Sequence, residues 1–543
     1  MKATTHWPKH FYLIASGKAA PHHKPSRKSM GSKAFNLLRM VDIGLPVPPA
    51  LVIGTHFTKD PDACLQPMLS IGLPALEAVT GQLLGDKRNP LIVSVRSGAP
   101  VSMPGMMETL LNIGLCDETL PGFLRQTGNP RLVWDAYRRL VSSYGEVVAG
   151  LPASLFENEI DRVTQGRDER LLDFNELRTL TRRFLALYAQ DAGQAFPQDA
   201  NTQLTGAIRA VFESWQADKA KEYRKLNQID VAMGTAVTIQ CMVFGNTGSD
   251  SGAGVGFTRD PTTGEPKLWV DFLVNAQGED VVSGRRNAHG HQALASVAAE
   301  AWRKLEEAAQ ALEREFTDMQ DFEFTVQDGV LHMLQTRSGK RAPLATARIA
   351  LDLFDAEVID AATALERTNK LRDEDLGIVR LVSQADPSLQ IKPLGQAMPA
   401  SPGVVSGEIA LDGQRAAARV TAGARIILIR QDAQTSDISA LESAVGLLTQ
   451  RGARTSHAAV VARQLGKVCL VGCENLQIDV ASRTVRFGDI TLNEGDVITL
   501  DGNDGSIYPG ELAARLIPDT PLLERLQTLR QSAPKPTRRK HHA

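Results

Sequence analysis

The 543-residue chain lacks a charge surplus, a long apolar run and any cysteine pattern typical of a metal site. Its 60 basic and 62 acidic residues nearly cancel, so the overall charge gives no indication of a nucleic-acid partner. No apolar run approaches membrane-spanning length, and residues 11–15 are too short for the core of a secretory signal. Five cysteines, an odd number in mostly apolar surroundings, favour reduced thiols; Cys469 and Cys473 have no accompanying histidine. We therefore expect a cytoplasmic protein with no membrane partner.

A helix with a histidine in its first turn is predicted near the carboxyl end. Thr455 and Ser456 are suited to cap a helix, residues 458–465 favour helix, and Gly466 suits the left-handed residue that ends one. His457 then lies where the positive end of the helix dipole disfavours imidazolium and favours a phosphate on the ring. This pattern suits a phosphohistidine. A lone histidine is more often an exposed residue beside a helix cap, so that interpretation stays open at this point.

Residues 319–337 are predicted to form a hairpin. A three-residue loop at 327–329, with Gly329 left-handed, sets Asp321 opposite Gln335. The predicted apolar face consists of Phe322, Phe324, Val326, Val330 and Leu334, and the polar face of Asp321, Glu323, Gln335 and Arg337. Two carboxylates at alternate positions suit Mg²⁺, which takes oxygen ligands, and an arginine can neutralise a transferring phosphoryl group. The alternative is an ordinary hairpin with a polar solvent face.

Two other stretches have the composition of phosphate-binding loops. An apolar strand at 90–95 delivers Arg96 and Ser97 at its carboxyl end, and the loop at 98–109 has amides that could hold an anion. That loop could also be a turn with its methionines packed inward. Residues 245–256 are predicted as a glycine-rich turn whose backbone can approach a polyphosphate closely.

Residues 455–463, Thr-Ser-His-Ala-Ala-Val-Val-Ala-Arg, resemble the phosphohistidine segment of the pyruvate phosphate dikinase family. Residues 94–99 and 102–109 resemble the dikinase form of the phosphate loop. The resemblance implies an α/β (α+β multidomain) protein in which an ATP-grasp domain precedes a β-rich swivelling phosphohistidine domain. The implied divisions are a flexible arm at 1–27, the ATP-grasp domain at 28–340, a helical linker region at 341–394, the phosphohistidine domain at 395–511, and a C-terminal helix with a basic tail at 512–543.

The same resemblance assigns roles to individual residues. His457 is implied as the catalytic residue, and Thr455 as a regulatory phosphorylation site. Asp321 and Glu323 are implied to hold Mg²⁺. The implied ATP-binding residues are Lys33, Arg96, Glu279, Asp321, Glu323, Gln335 and Arg337, and the implied phosphate-binding residues are Gly105, Met107 and Thr109. Residues 245–256 correspond to the mobile loop that covers the ATP phosphates.

The activity implied is an ATP- and phosphate-dependent phosphorylation of His457, with AMP and pyrophosphate as products. The family continues into a barrel that binds pyruvate, so we expect a separate chain to supply pyruvate. Another small molecule or a protein could also be the acceptor. A degenerate ATP-binding sensor is a third interpretation, because the chain departs from the family pattern at Ala34, Ser338, Arg451 and Arg454.

Overall fold

The computed structural model describes residues 7–17, 24–101, 103, 105–282, 291–382, 391–432, 437–452, 454 and 457–532. The chain divides into two compact units: unit 1 is Met1–Gly248 with His332–Thr336, and unit 2 is Ser249–Leu331 with Arg337–Ala543. Helices and sheets occur in both, as the predicted class requires. Thr455 and residues 383–390 of the linker region predicted at 341–394 lie outside the described residues.

Unit 1 combines five strands with nine helices among the residues described. In chain order they are β1 Phe11–Ile14, α1 Arg27–Asp42, β2 Ala50–Ile53, α2 Leu65–Pro67, α3 Leu73–Thr80, β3 Val93–Gly98, β4 Thr109–Ile113, α4 Leu120–Thr127, α5 Pro130–Val147, α6 Ala153–Thr164, α7 Phe174–Ala192, α8 Ala200–Glu213, α9 Asp218–Leu226 and β5 Ala236–Cys241.

The sheet of unit 1 has the order β1-β2-β5-β3-β4, and every neighbouring pair is antiparallel. Its core joins this sheet to α5, α7 and α8 through large buried side chains such as Tyr137, Phe184 and Val211. The prediction that Arg96 follows a strand is wrong, because β3 runs to Gly98 and contains it. The rule about the carboxyl ends of parallel strands therefore does not position Arg96.

The expectation that no segment approaches membrane-spanning length also needs correction. Among the described residues, one helical stretch, Pro61–Thr80, is long and apolar enough to cross a membrane. Its Met68 and Leu76 are fully buried in the core of unit 1, and a core helix of a soluble protein can meet the same criterion. The stretch is therefore weak support for a membrane span.

Unit 2 contains the remaining α-helices and strands of the described residues, except that one strand, Val330–Ser338, includes His332–Thr336 of unit 1. These are β6 Gly252–Phe257, β7 Trp269–Val274, α10 Gly278–Val282, α11 His291–Val297, α12 Ala299–Phe316, β8 Gln320–Gln327, β9 Val330–Ser338, α13 Pro343–Asp355, α14 Ala361–Thr368, β10 Gly377–Leu381, β11 Gly395–Gln396, β12 Met398–Ser401, β13 Val404–Ala410, α15 Gly413–Thr421, β14 Ile426–Arg430, α16 Ile438–Ser443, β15 Gly446–Thr449, α17 His457–Gln464, β16 Val468–Val471, β17 Leu476–Asp479, β18 Thr484–Phe487, β19 Ile490–Asn493, β20 Val497–Asp501, β21 Ser506–Pro509, β22 Ala514–Pro518 and α18 Thr520–Ser532.

Two sheets of unit 2 matter for the candidate site. The first has the order β7-β6-β8-β9, with β6 antiparallel to both of its neighbours. The second has eight strands in the order β11-β21-β20-β13-β14-β15-β16-β12. Its strands β13, β14, β15 and β16 run parallel, and α17 is the crossover helix between β15 and β16. Ala459 and Ala462 of that helix are fully buried against the sheet.

The glycine-rich segment at 245–256 is not a single turn, because Gly252–Phe257 is β6, a buried inner strand. A Cβ atom on Gly252 would lie 2.2 Å from the Phe272 ring, and one on Gly254 would lie 2.3 Å from the Phe324 ring. Glycine is therefore needed here to make room for aromatic rings on one face of the sheet. The prediction of a phosphate-covering turn fails for this part of the segment.

The hairpin at 319–337 forms, but its turn is shorter than predicted. The strands end at Gln327 and resume at Val330, so Asp328 and Gly329 make the turn, with φ of 50° and 75°. The left-handed Gly329 is confirmed, whereas the three-residue loop is wrong. The predicted apolar face is wrong in part as well, since Val330 is 54% exposed and Met333 is fully buried. The left-handed Asp328 shifts which residues of β9 turn inward.

All five cysteines are unpaired, and four of them are buried. Burial raises the pKa of the Cys64 and Cys469 thiols to about 12. Both thiols are therefore protonated near neutral pH, which agrees with the prediction of reduced cysteines.

Candidate functional site

In unit 1, the backbone around Lys33 packs against the end of strand β3. Helix α1 is interrupted at Gly31, which has φ 77° and ψ 161°. A Cβ atom on Gly31 would lie 1.8 Å from the carbonyl oxygen of Gly98, so only glycine fits. Ser32 donates from its amide and from its hydroxyl to the Ala99 carbonyl, both at 2.9 Å. The Ser32 side chain therefore adds a hydrogen bond to this contact.

This packing brings three predicted residues to one face of the sheet. A Cβ atom on Gly98 would lie 3.9 Å from the Cβ of Lys33, so Lys33 lies over the face toward which Gly98 turns. Arg96, two residues earlier in β3, projects to that same face. Thr109 of β4 is the direct cross-strand partner of Arg96 and shares the face. The structure thus groups Lys33, Arg96 and Thr109 into a patch with two positive charges.

The loop between β3 and β4 is braced by the segment that links α8 to α9. The amide of Glu108 donates to Ser214 Oγ at 3.3 Å, and Lys219 pairs with the Glu108 carboxylate at 2.6 Å. Met107 packs with the cluster around the buried Trp215, as in the alternative of inward methionines. Gly105 is left-handed, with φ 70° and open space around its Cβ position. The loop therefore has a fixed base and an accessible tip.

In unit 2, one face of the β7-β6-β8 sheet carries the predicted carboxylates. Asp321 of β8 pairs with Phe257 of β6, which pairs with Trp269 of β7. Two residues along, Glu323 pairs with Val255, which pairs with Asp271. Directly paired residues share a face, and so do alternate residues of a strand. Two parallel rows, Asp321-Phe257-Trp269 and Glu323-Val255-Asp271, therefore lie side by side on this face.

Asp321 is the most buried of the predicted metal ligands, with its residue 6% exposed. Arg337 Nε donates to Asp321 Oδ2 at 2.8 Å, as expected for two residues of one polar cluster. Burial raises the pKa of Asp321, although the charge of Arg337 opposes the increase. Burial alone would lower the pKa of Arg337, but the charges of Asp321 and Glu323 raise it. A second positive group near Asp321 would therefore stabilise its charged form.

Helix α17 begins at His457, in agreement with the predicted first-turn position, and Gly466 follows it with φ 64°. Arg463, in the last turn, is 2% exposed and donates to the Ala400 carbonyl at 3.0 and 2.6 Å. Its guanidinium lies 5.6 Å from the Phe257 ring centroid and 5.4 Å from that of Trp269. Burial lowers the pKa of Arg463 to about 10, which leaves it charged at neutral pH.

Arg454 makes contacts that sequence reasoning did not find. It counted toward a degenerate site, yet its side chain binds Asp271 and stacks on Trp269, on the same face as Asp321. The sequence does contain a signal for this pair. Asp271 is an acidic residue inside the otherwise apolar run of β7, and a buried carboxylate in a strand requires a partner.

Glu279 and Gln335 are the remaining predicted ATP-binding residues. Glu279 is exposed in the first turn of α10, the short helix that follows β7, and Gln335 is buried in β9. Among the described residues, no group of three or more histidine, cysteine or acidic side chains could hold a metal ion. Asp321 and Glu323 alone therefore suit only a metal whose other ligands come from substrate or water.

Comparison with known proteins finds two matching domains in this chain. Residues 73–293 match the AMP/ATP-binding domain of pyruvate phosphate dikinase, and residues 423–505 match the mobile domain of PEP-utilising enzymes. The pyruvate, phosphate dikinase of Clostridium symbiosum is 40% identical over 90% of this chain and 57% of its own length. The enzyme named pyruvate, phosphate dikinase from Rhizobium meliloti is 39% identical over 92% of this chain and 58% of its own length. The chain thus spans somewhat more than half of these relatives.

These matches define the class of protein as one that joins an AMP/ATP-binding domain to a mobile domain. The chain carries the AMP/ATP-binding domain of the pyruvate phosphate dikinase family, followed by the mobile domain of the PEP-utilising enzymes. The predicted domain types, an ATP-binding domain followed by a PEP-utilising mobile domain, are thereby confirmed, and phosphorylation of His457 stays a prediction.

Proposed function

We propose that this chain is an ATP- and phosphate-dependent phosphotransferase that phosphorylates its own His457. A nitrogen of His457 attacks the β-phosphorus of ATP, the bond to the α-phosphate oxygen breaks, and AMP leaves. Inorganic phosphate then attacks the terminal phosphorus of the pyrophosphorylated histidine. Pyrophosphate leaves and one phosphoryl group stays on His457.

The observation that carries this proposal is the seating of the phosphohistidine segment. Arg454 and Arg463, on either side of His457 in the sequence, contact Asp271, Trp269 and Phe257. Those residues share a sheet face with Asp321 and Glu323. The segment that would accept the phosphoryl group therefore lies on the face where carboxylates would bind Mg²⁺-ATP.

The chain supplies two kinds of group for this chemistry. Lys33 and Arg96 would neutralise ATP phosphates, and the loop containing Gly105, Met107 and Thr109 would receive inorganic phosphate. Arg337 would balance charge on the transferring group. Asp321 and Glu323 fit Mg²⁺, because a buried carboxyl with a raised pKa gains a charge partner when a cation binds. Bound Mg²⁺ would neutralise phosphate charge and fix the orientation of the triphosphate.

The acceptor of the phosphoryl group belongs to the same proposal. We infer that pyruvate, bound on a separate chain, receives it, in keeping with the names of the relatives. Adding pyruvate and a barrel-type partner protein to phosphorylated enzyme should give phosphoenolpyruvate. If another small molecule or a protein is the acceptor, the label will leave His457 only when that molecule is present.

The direct test is intact-mass and nucleotide analysis of the purified protein after incubation with ATP and Mg²⁺. Without phosphate, a pyrophosphoryl adduct and AMP are expected. With phosphate, the adduct should shrink to one phosphoryl group and pyrophosphate should appear.

His457→Ala and His457→Gln are the controls, and both should form no adduct while still binding ATP. ATP binding without any adduct in the unmodified protein would contradict the proposal and favour the sensor interpretation.

A further inference from the structure

Arg454 makes an unusually complete set of contacts with three consecutive residues of β7. Its Nε and Nη2 donate to Asp271 Oδ1 at 3.0 and 2.8 Å, and Nη2 also donates to the Val270 carbonyl at 3.2 Å. The guanidinium carbon lies 4.0 Å from the centroid of the Trp269 ring. Hydrogen bonds, an ion pair and a cation–π contact thus act on one side chain.

These contacts occur away from solvent, which increases their effect. The Asp271 side chain is fully buried, and the Arg454 side chain is only 18% exposed. Removing one member of a buried charge pair leaves the other without compensation, and that is costly. The pair is therefore unlike the exposed ion pairs of this chain, such as Lys87–Glu118, where both side chains are more than 60% exposed.

The position of Arg454 in the chain connects this contact to His457. Arg454 precedes the first residue of α17 by three positions. The far end of that helix is also tied to the same place, because Arg463 Nη2 donates to the Arg454 carbonyl at 3.3 Å and its guanidinium faces Trp269. Arg454 and Arg463 thus hold the segment before the helix and the last turn of the helix at Trp269.

We propose that Arg454 is a positioning residue that fastens the phosphohistidine segment to β7 for phosphorylation by ATP. The inference rests on the proposed function for its catalytic consequence. It assigns to Arg454 a role in presenting His457 and no role in binding nucleotide. Losing the contact should therefore lower the rate of histidine phosphorylation and leave the concentration dependence on ATP nearly unchanged.

The chain offers matched variants for this test. Arg454→Ala removes all the contacts, and Arg454→Lys keeps the charge but loses the planar fork that reaches Asp271 and Val270. Arg451→Ala removes an exposed arginine of the same segment and serves as the control. Asp271→Asn and Trp269→Leu remove the two receiving groups separately.

Rapid-quench measurement of the label transferred from β-³²P-ATP to His457 tests the catalytic consequence. We expect Arg454→Ala to lower the rate constant on the order of tenfold or more, with the apparent ATP affinity within about twofold of the unmodified protein. The rate constant of Arg454→Lys should lie between those of Arg454→Ala and the unmodified protein. The rate constant of Arg451→Ala should equal that of the unmodified protein. Combining Arg454→Ala with Asp271→Asn should add little to either single loss. Equal rates for Arg454→Ala and Arg451→Ala, or a weaker ATP affinity in place of a slower rate, would overturn the proposal.

Hydrogen exchange of the whole protein without ATP tests the contact itself. Arg454→Ala and Trp269→Leu should speed amide exchange in Trp269–Val274 and in His457–Gln464, and leave Val93–Gly98 unchanged. If the unmodified protein forms no phosphohistidine but these exchange changes occur, the proposed function fails and the fastening contact stands. Unchanged exchange in both segments would overturn the fastening contact whatever the activity.

Discussion

Gly31 in unit 1 and Gly254 in unit 2 are both required by close packing, but for different physical reasons. Gly31 combines a left-handed backbone, with φ 77°, and an approach to the Gly98 carbonyl that would put a Cβ atom at 1.8 Å. Gly254 lies in an inner strand, where a Cβ atom would lie 2.3 Å from the Phe324 ring. The nearest atom is a backbone carbonyl oxygen at the first glycine, whereas at the second it is a side-chain ring, with the Asp271 carbonyl oxygen farther away at 3.0 Å.

The difference predicts how each part of the candidate site tolerates change. A side chain can change its rotamer or be replaced, so the sheet of unit 2 can be repacked. A carbonyl held in a sheet cannot move without breaking the contact between the Gly31 turn and the end of β3. The patch of Lys33, Arg96 and Thr109 should therefore be the less tolerant of the two. Three substitutions test this expectation.

Gly31→Ala should have the largest effect. It adds a clash with the Gly98 carbonyl to the cost of a left-handed alanine, and we expect the protein to lose about 3 kcal/mol or more of stability. Gly44→Ala is the control, since Gly44 has φ 81° and open space around its Cβ position. Gly44→Ala should cost only about 1–2 kcal/mol of stability, because alanine is strained at that φ but meets no other atom. Thermal unfolding gives the stability of both variants, and binding of a fluorescent ATP analogue gives their affinity. Equal losses of stability in the two variants would show that the approach to Gly98 adds no cost.

Gly254→Ala should have an intermediate effect, about 1–3 kcal/mol, because the Phe324 ring must shift to make room. Replacing the Phe324 ring with a smaller side chain should relieve the clash. The double variant Gly254→Ala with Phe324→Leu should therefore recover part of the stability that Gly254→Ala loses. Gly278→Ala, where a Cβ atom meets open space, should be close to neutral. Calorimetry of the unmodified protein, of the two single variants Gly254→Ala and Phe324→Leu, of the double variant and of Gly278→Ala gives the stabilities. If the double variant loses more stability than the two single variants lose together, the clash lies with the backbone.

Asp321→Asn should have the smallest effect and one that depends on pH. Burial raises the pKa of Asp321 in the folded protein. As pH rises through the usual range of aspartate, the unfolded chain ionises first, so the unfolding free energy of the unmodified protein falls relative to the variant. Asp321→Asn should therefore be most destabilising in acid and least destabilising near neutral pH.

Asp328→Asn, the same change at an exposed position of the hairpin turn, is the control for this pH dependence. Denaturant unfolding from acid to neutral pH compares the variants. A difference between the unmodified protein and Asp321→Asn that grows as pH rises would contradict the sign.

Much of the fold follows from local sequence, and the carrier domain is the clearest case. The domain predicted as β-rich at 395–511 contains the eight-stranded sheet, with β15 and β16 among its inner strands. The start of α17 and the left-handed Gly466 also agree with their predicted positions. The hairpin turn was predicted one residue too long, although Asp328-Gly329 is itself a typical sequence for a two-residue turn with both residues left-handed. That single residue changes which side chains of β9 are buried.

The sequence by itself determined the two domain types, the helix that begins at His457, and the residue types needed for phosphate and Mg²⁺ chemistry. These depend on short-range spacing and on side-chain chemistry, which a linear pattern contains. Only the tertiary structure decided that Gly31 serves an approach to Gly98, that Gly254 makes room for Phe324, and that Arg454 is a partner of Asp271. Arg454 and Asp271 are separated by 183 residues, and their pairing depends on strand register and burial that no local pattern specifies.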